Sequence, residues 1–356
     1  MRSRAAILPF PGDPFLLFYW LHLFDKVWQD EVDRLYIYLN SPIEKQVVDY
    51  IREMCLQRPK INFVYNDVQI EHGEAINRTL DIVTEELVML VEDDGFIFKQ
   101  GAVDKCFRLL ESGNYDIVGS KRGSCSTELL DRAKQIWDLS YDGEGDQGPN
   151  FWPNFFFCSK ALLLKTDRNF ASRAWVKGEI IHTLQDYPVE VAVVASDTFV
   201  SASFQLRNLI PAERIFYVPQ YHGHPSDEEH FKQGRYLFDG RAPWCHIGSL
   251  SSGVGGLLRD DRNRCLTRRK IDPPQDKTIL EPQWCQTDME RGEFERRVQW
   301  WQRFAMFWNE NATKENPYMN DFWLVYTQAV DQIIRQYNLN RKAIMRRQDI
   351  YASLGL

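Results

Sequence analysis

Five consecutive apolar residues, Leu87-Val88-Met89-Leu90-Val91, run straight into three carboxylates, Glu92-Asp93-Asp94. A run of that length without polar alternation predicts a strand covered on both faces, as in a parallel sheet sandwiched by helices. The acids then fall at its C-terminal edge, where open α/β sheets bind their ligands. Oxygen clusters there suit Mn2+ or Mg2+ brought in with a phosphorylated ligand, because such ions take one or two protein carboxylates and complete their shell with phosphate oxygens. The same Asp-Asp-Gly sequence also fits a solvated turn, so the flanking sequence has to decide.

That flanking sequence alternates between two periodicities. Strand signals fall at residues 5–8, 35–39, 61–65, 87–91, 115–118 and 214–219, and helical spacing at 15–28, 44–56, 72–83, 101–112, 127–139 and 196–209. Alternation on this scale predicts an α/β fold, a mostly parallel sheet with helices on both faces. Residues 151–164, aromatic and then aliphatic, read as a pair of strands walling a pocket, most of the aromatics fitting plain core as well, and 141–149, rich in Gly and acid, as a surface loop or a lid. Past residue 225 the periodicity fades, then three helical patterns at 289–309, 317–337 and 340–352 carry an aromatic face that includes Trp300, Trp301 and Trp308. The expected organisation is a ligand-binding and catalytic domain over residues 1–225, an irregular connection over 226–285 that completes the acceptor side, and a mainly helical C-terminal region over 286–356.

A chain of 356 residues with 44% apolar and 26% charged residues is of ordinary globular composition and long enough for a sizeable core. Its net charge of −7 excludes an overall basic field for nucleic acid. The basic clusters at 259–270 and 341–347 could still grip an anionic acceptor. Seven cysteines without a CxxC pair read as reduced thiols of a cytoplasmic protein, and as neither a disulfide framework nor a zinc site. The apolar stretch at 15–24 is too short to span a bilayer and lacks the small-residue cleavage site of a signal peptide. No other stretch reads as a transmembrane segment.

Three groups of residues carry a resemblance. Residues 61–65, then Gly73-Glu74-Ala75-Ile76-Asn77 with Leu80, then 85–98 with the acid run, resemble the nucleotide-sugar half of a GT-A fold glycosyltransferase of the large inverting family, glycosyltransferase family 2-like, with its acidic "DXD" signature. The resemblance implies a donor site in which Pro9 and Phe10 close the first strand beside the nucleotide. Asn40 stands there in place of the family's usual Asp, and Asn77 lies on the donor-side helix. Glu92 takes the first acidic position, near the ribose, and Asp94 the third, on the metal. Because Glu92 is one methylene longer than the usual Asp, Asp93 is a further candidate ligand.

The second group, Ala195-Ser196-Asp197 leading to Leu206-Arg207, is similar to the family's general base at the start of a helix that ends in Leu-Arg. A carboxylate there would take the proton of an acceptor hydroxyl, although an acid at a helix start also serves as an N-cap. The third group, residues 216–224, ends like the family's metal-completing histidine, with His224 at that spacing, His222 beside it and His246 a competitor. The implied activity is metal-dependent transfer of a hexose from a nucleoside diphosphate sugar, most often a UDP-sugar, to an acceptor hydroxyl on a glycan or a modified nucleic acid, with Mn2+ or Mg2+ as cofactor. A nucleotidyltransferase would carry a Gly-rich basic loop after the first strand, which Pro9-Phe10-Pro11-Gly12-Asp13 lacks. A non-catalytic carbohydrate- or nucleotide-binding module is the other reading.

Overall fold

The structure is a computed structural model that describes residues 2–12, 14–40, 45–68, 70–93, 95–97, 99–120, 125–137, 151–218, 237–238 and 243–246. Asp94, His222, His224, the Gly-rich 141–149 stretch, both basic clusters and the helical patterns after residue 286 lie outside the described residues. Strands β1 (Arg4–Phe10), β2 (Arg34–Leu39) and β3 (Ile61–Tyr65) alternate with helices α1 (Pro14–Leu23), α2 (Lys45–Leu56) and α3 (His72–Ile82). Strands β4 (Leu87–Leu90) and β5 (Gly95–Ile97) flank the acid run. Then come α4 (Ala102–Glu111), β6 (Ile117–Gly119), α5 (Thr127–Trp137), β7 (Phe156–Ser159) and α6 (Lys160–Leu163). Two ribbons follow, made from β8 (Arg173–Val176), β9 (Ile180–Ile181), β10 (Tyr187–Pro188) and β11 (Val193–Ser196), and the remaining elements are α7 (Val200–Leu209), β12 (Ile215–Tyr217) and β13 (Trp244–His246).

Seven strands form one sheet in the order β12-β6-β7-β4-β1-β2-β3. The pairings are parallel except those of β7, which is antiparallel to both β4 and β6. The fold is therefore the α/β, mostly parallel sheet that the alternating pattern predicts. All four residues of β4 are fully buried, in keeping with an apolar run that has neighbours on both edges and side chains on both faces. Its outward neighbours in the core include Ala5 and Ile7 of β1, Ile76 and Leu80 of α3, and Phe156 and Cys158 of β7.

Two local expectations change. Residues 151–164 form one sheet strand and a short helix, because the Ser159 hydroxyl accepts the amide of Leu162 at 3.1 Å and starts α6 where a second strand was expected. Helix α7 begins at Val200, four residues later than its spacing suggests, because Val193–Ser196 is drawn into pairing with β8 and Phe199 takes a left-handed φ of 71°. One compact unit, Met1–Gly12 with Trp20–His246, holds the sheet and runs past residue 225 to β13, which pairs antiparallel with β5. Among the described residues no helix is long and apolar enough to cross a membrane. Cys55, Cys106, Cys125 and Cys158 form no disulfide, and burial pushes the Cys55 thiol up to about 12, which keeps it protonated and inert.

Helix α3 approaches the 168–172 segment backbone to backbone at Gly73. A Cβ at that position would lie 2.1 Å from the Phe170 carbonyl carbon, so no larger residue fits without moving the main chain. Gly73→Ala is expected to cost about 2 kcal/mol or more of unfolding free energy through overpacking, despite alanine's better helix propensity. Urea unfolding checks this, and a stabilised variant would contradict the close approach.

Candidate active site

Three parallel strands end side by side at one edge of the sheet. The amide of Val91 donates to Ile7 O at 3.0 Å and that of Asn40 to Phe10 O at 3.1 Å, so the residues following β4 and β2 flank the end of β1. Pro9 and Phe10 are buried there. Asn40 is 8% exposed; its Nδ2 donates to Ile70 O at 3.4 Å, and its Oδ1 has no hydrogen-bond partner among the described residues. A buried amide oxygen without a donor is costly unless a ligand or water supplies one.

Glu92 and Asp93 leave this edge from β4. The Trp152 indole Nε1 donates to Glu92 Oε2 at 2.6 Å, and His72 Nδ1 lies 3.7 Å from Glu92 Oε1. The Glu92 amide donates to Asn154 Oδ1 at 3.3 Å. Asn154 is fully buried, its Nδ2 has no partner among the described residues, and its side chain fills the space over Gly95, where an added Cβ would lie 2.1 Å from Oδ1. Asp93 is 6% exposed, so its carboxylate is withheld from bulk water. Neither Trp152 nor Asn154 stands out in the aromatic 151–157 run on periodicity; the signal that could have found Asn154 is a lone amide between bulky apolar residues, which burial forces into a polar contact.

Among the described residues no three His, Cys, Asp or Glu side chains converge as a metal site. The donors that are described, two adjacent carboxylates at the ligand edge of the sheet, suit a hard divalent cation that shares phosphate oxygens, so the chemistry fits Mn2+ or Mg2+. The register of β13 against β5 sets His246 opposite Gly95, which brings its backbone beside the residue that follows the acid run. His222 and His224 are outside the described residues.

Asp197 is exposed in the turn before α7. Its Oδ1 accepts the amide of Thr198 at 2.8 Å, while the cap position of α7 is Phe199, which makes no side-chain cap. The helix-cap role open to Asp197 on sequence is thus not the one seen. Phe199 holds its left-handed backbone while packed against Phe156 and Phe170, ring centroids at 5.0 and 5.4 Å, and its amide donates to Phe170 O at 2.8 Å. A bulky residue in that region costs about 1–3 kcal/mol, which the surrounding packing must offset.

Asn77, half-buried on α3, clasps the 166–170 loop: its Nδ2 donates to Arg168 O at 2.5 Å, and Arg168 Nη2 donates to Asn77 O at 2.7 Å. Arg207 is buried with its guanidinium 5.3 Å from the Phe151 ring centroid and 5.5 Å from that of Tyr217, and it donates to the Tyr217 hydroxyl. Burial lowers the Arg207 pKa and pushes the Tyr217 phenol up to about 12, so Tyr217 stays protonated.

No family model matches the chain, and no curated protein matches it in sequence. Solved glycosyltransferase structures are similar to it. Residues 1–349 of TarS from S. aureus match with a TM-score of 0.41 at 11% identity, over 88% of this chain and 73% of that one. GalNAc-T7 with UDP, GalNAc and Mn2+ matches at 0.37 and 9% identity, over 48% and 37%. Glucosyl-3-phosphoglycerate synthase from Mycobacterium tuberculosis, in complex with Mn2+ and UDP-glucose, matches at 0.33 and 16% identity, over 46% and 58%. This chain thus spans less than two thirds of the latter two, and 30% of a longer TarS structure.

Trp152→Phe keeps a ring in place and removes the N–H that holds Glu92. It is expected to lower unfolding free energy by about 2 kcal/mol, the scale of a hydrogen bond to a charged group. An unchanged urea midpoint would mean that the indole does not hold the carboxylate.

Proposed function

We propose that the protein is a metal-dependent, inverting glycosyltransferase that moves a hexose from a UDP-sugar to an acceptor hydroxyl. The observation that carries this reading is the content of one sheet edge: two carboxylates, Glu92 and Asp93, follow β4, and the buried amide oxygen of Asn40, with no partner among the described residues, follows β2. The first is chemistry for a cation and its phosphates, the second for a neutral N–H donor such as the imide of uracil. The two ends of a nucleoside diphosphate need just those two kinds of group.

In this reading Asn40 accepts from the base, with Pro9 and Phe10 as the floor beside it and Asn77 holding the helix on the donor side. Asp94, with Asp93 or Glu92 and one of the three histidines, would hold Mn2+ or Mg2+, and that ion would supply charge neutralisation for the departing diphosphate. Of the three, His246 is the one whose backbone lies among the described residues, in register opposite Gly95. Trp152 fixes Glu92 so that its carboxylate does not have to be ordered when the donor arrives. Asp197 takes the proton from the acceptor hydroxyl as that oxygen attacks the anomeric carbon. The bond from that carbon to the diphosphate oxygen breaks, and the configuration inverts. The acceptor is a glycan or a modified nucleic acid.

Incubation with a panel of UDP-sugars and Mn2+, with UDP release as the readout, is expected to give turnover with at least one donor and none after EDTA. No release from any donor would reject the transferase reading. With the active donor, Asp197→Asn is expected to lower kcat by about 10²-fold or more, the usual contribution of a general base, while donor KM stays within about two-fold. Full activity in that variant would remove Asp197 from the chemistry.

A further inference from the structure

The carboxylate of Glu71 accepts five hydrogen bonds, and its two oxygens divide them. Oε2 takes the amides of Gly73 at 2.5 Å and Glu74 at 3.3 Å, which caps α3. Oε1 takes the Ser172 amide at 3.0 Å, the Ser172 hydroxyl at 2.9 Å and the Thr198 hydroxyl at 3.2 Å. A helix cap needs only the first pair. The second set reaches 101 and 127 residues along the chain, to the loop that packs on Gly73 and to the turn that carries Asp197. The next residue, His72, has its Nδ1 3.7 Å from Glu92 Oε1.

We infer that Glu71 is a positioning residue for Asp197: through Thr198 it fixes the turn that bears the base to the same helix end whose His72 abuts the donor-side acid, and so sets the spacing between base and donor. The inference rests on the transferase reading above. Three features make the link rigid. Gly73 lets α3 touch the Phe170 backbone, the Phe199 amide is bonded to Phe170 O, and Asp197 Oδ1 is bonded to the Thr198 amide. The turn is therefore tied to the 168–172 segment at the Phe199 amide and to Glu71 at the Thr198 hydroxyl.

Thr198→Val tests this without touching the cap of α3, because Oε2 keeps both of its amides. With the donor that the wild type turns over, the variant is expected to lose about ten-fold in kcat for UDP release, with donor KM within about two-fold and an unchanged thermal midpoint, since a base displaced by a fraction of an ångström loses rate and not donor binding. Thr198→Ser, which keeps the hydroxyl, is expected to retain kcat within about two-fold. In an Asp197→Asn background Thr198→Val is expected to have no further effect, because residues that act as a unit are not additive. A wild-type kcat in Thr198→Val, a serine variant as slow as the valine one, or full additivity with Asp197→Asn overturns the inference while leaving the transferase reading in place. A wild type that releases no UDP overturns both.

Discussion

Every other feature of the site depends on β4 being hydrogen-bonded on both edges and covered on both faces. Its partners are β1, with Ile7 opposite Leu90, and β7, with Phe156 opposite Leu90. A strand in that position can carry no charge along its length, because an ionised group there would be stripped of water without a partner. Its first charged residues can only appear once the chain clears the sheet, which is where Glu92 and Asp93 stand. The antiparallel course of β7 then completes the site. Since Phe156 begins β7 opposite the end of β4, the residues just before it, Trp152 to Phe155, meet the residues just after β4, and the indole and amide that hold Glu92 come from that crossing.

The same edge is bounded by two bulky residues in left-handed conformation, Phe155 with φ 56° and Phe199 with φ 71°. Each is fully buried and ringed by aromatics: Phe155 stacks on Trp244 at 5.4 Å and meets Phe157 edge-on at 4.9 Å, while Phe199 sits between Phe156 and Phe170. Aromatic pairs at such distances contribute about 0.5–1.5 kcal/mol each beyond area burial, enough in combination to hold a backbone that costs a comparable amount. The aromatic richness of residues 151–157 thus serves chain direction at the site and not merely core volume.

How much of this was legible in the chain follows from the range of each signal. The β4 run, the alternation of strands and helices, and the acids at the sheet edge are local patterns, and the α/β architecture they predict is the one found. The antiparallel β7 and the two ribbons between Arg173 and Ser196 were not legible. The former shares its apolar composition with a parallel strand, and the latter are strands of two to four residues with Val176 and Val193 half exposed. Glu71, Trp152 and Asn154 owe their roles to contacts across 127, 60 and 62 residues, which leave no periodicity to read. Likewise, His246 comes beside the acid run through the register of β13, which spacing along the chain does not encode.

In the proposed function the acids after β4 bind UDP through a divalent cation. Calorimetric titration of UDP into the full chain measures this binding with Mn2+, with EDTA, and with Mn2+ on the Asp93→Asn variant. Binding is expected in the first case and its loss in the other two, while the variant keeps the unfolding midpoint of the wild type. UDP that binds equally well in EDTA, or equally well to Asp93→Asn, would contradict it.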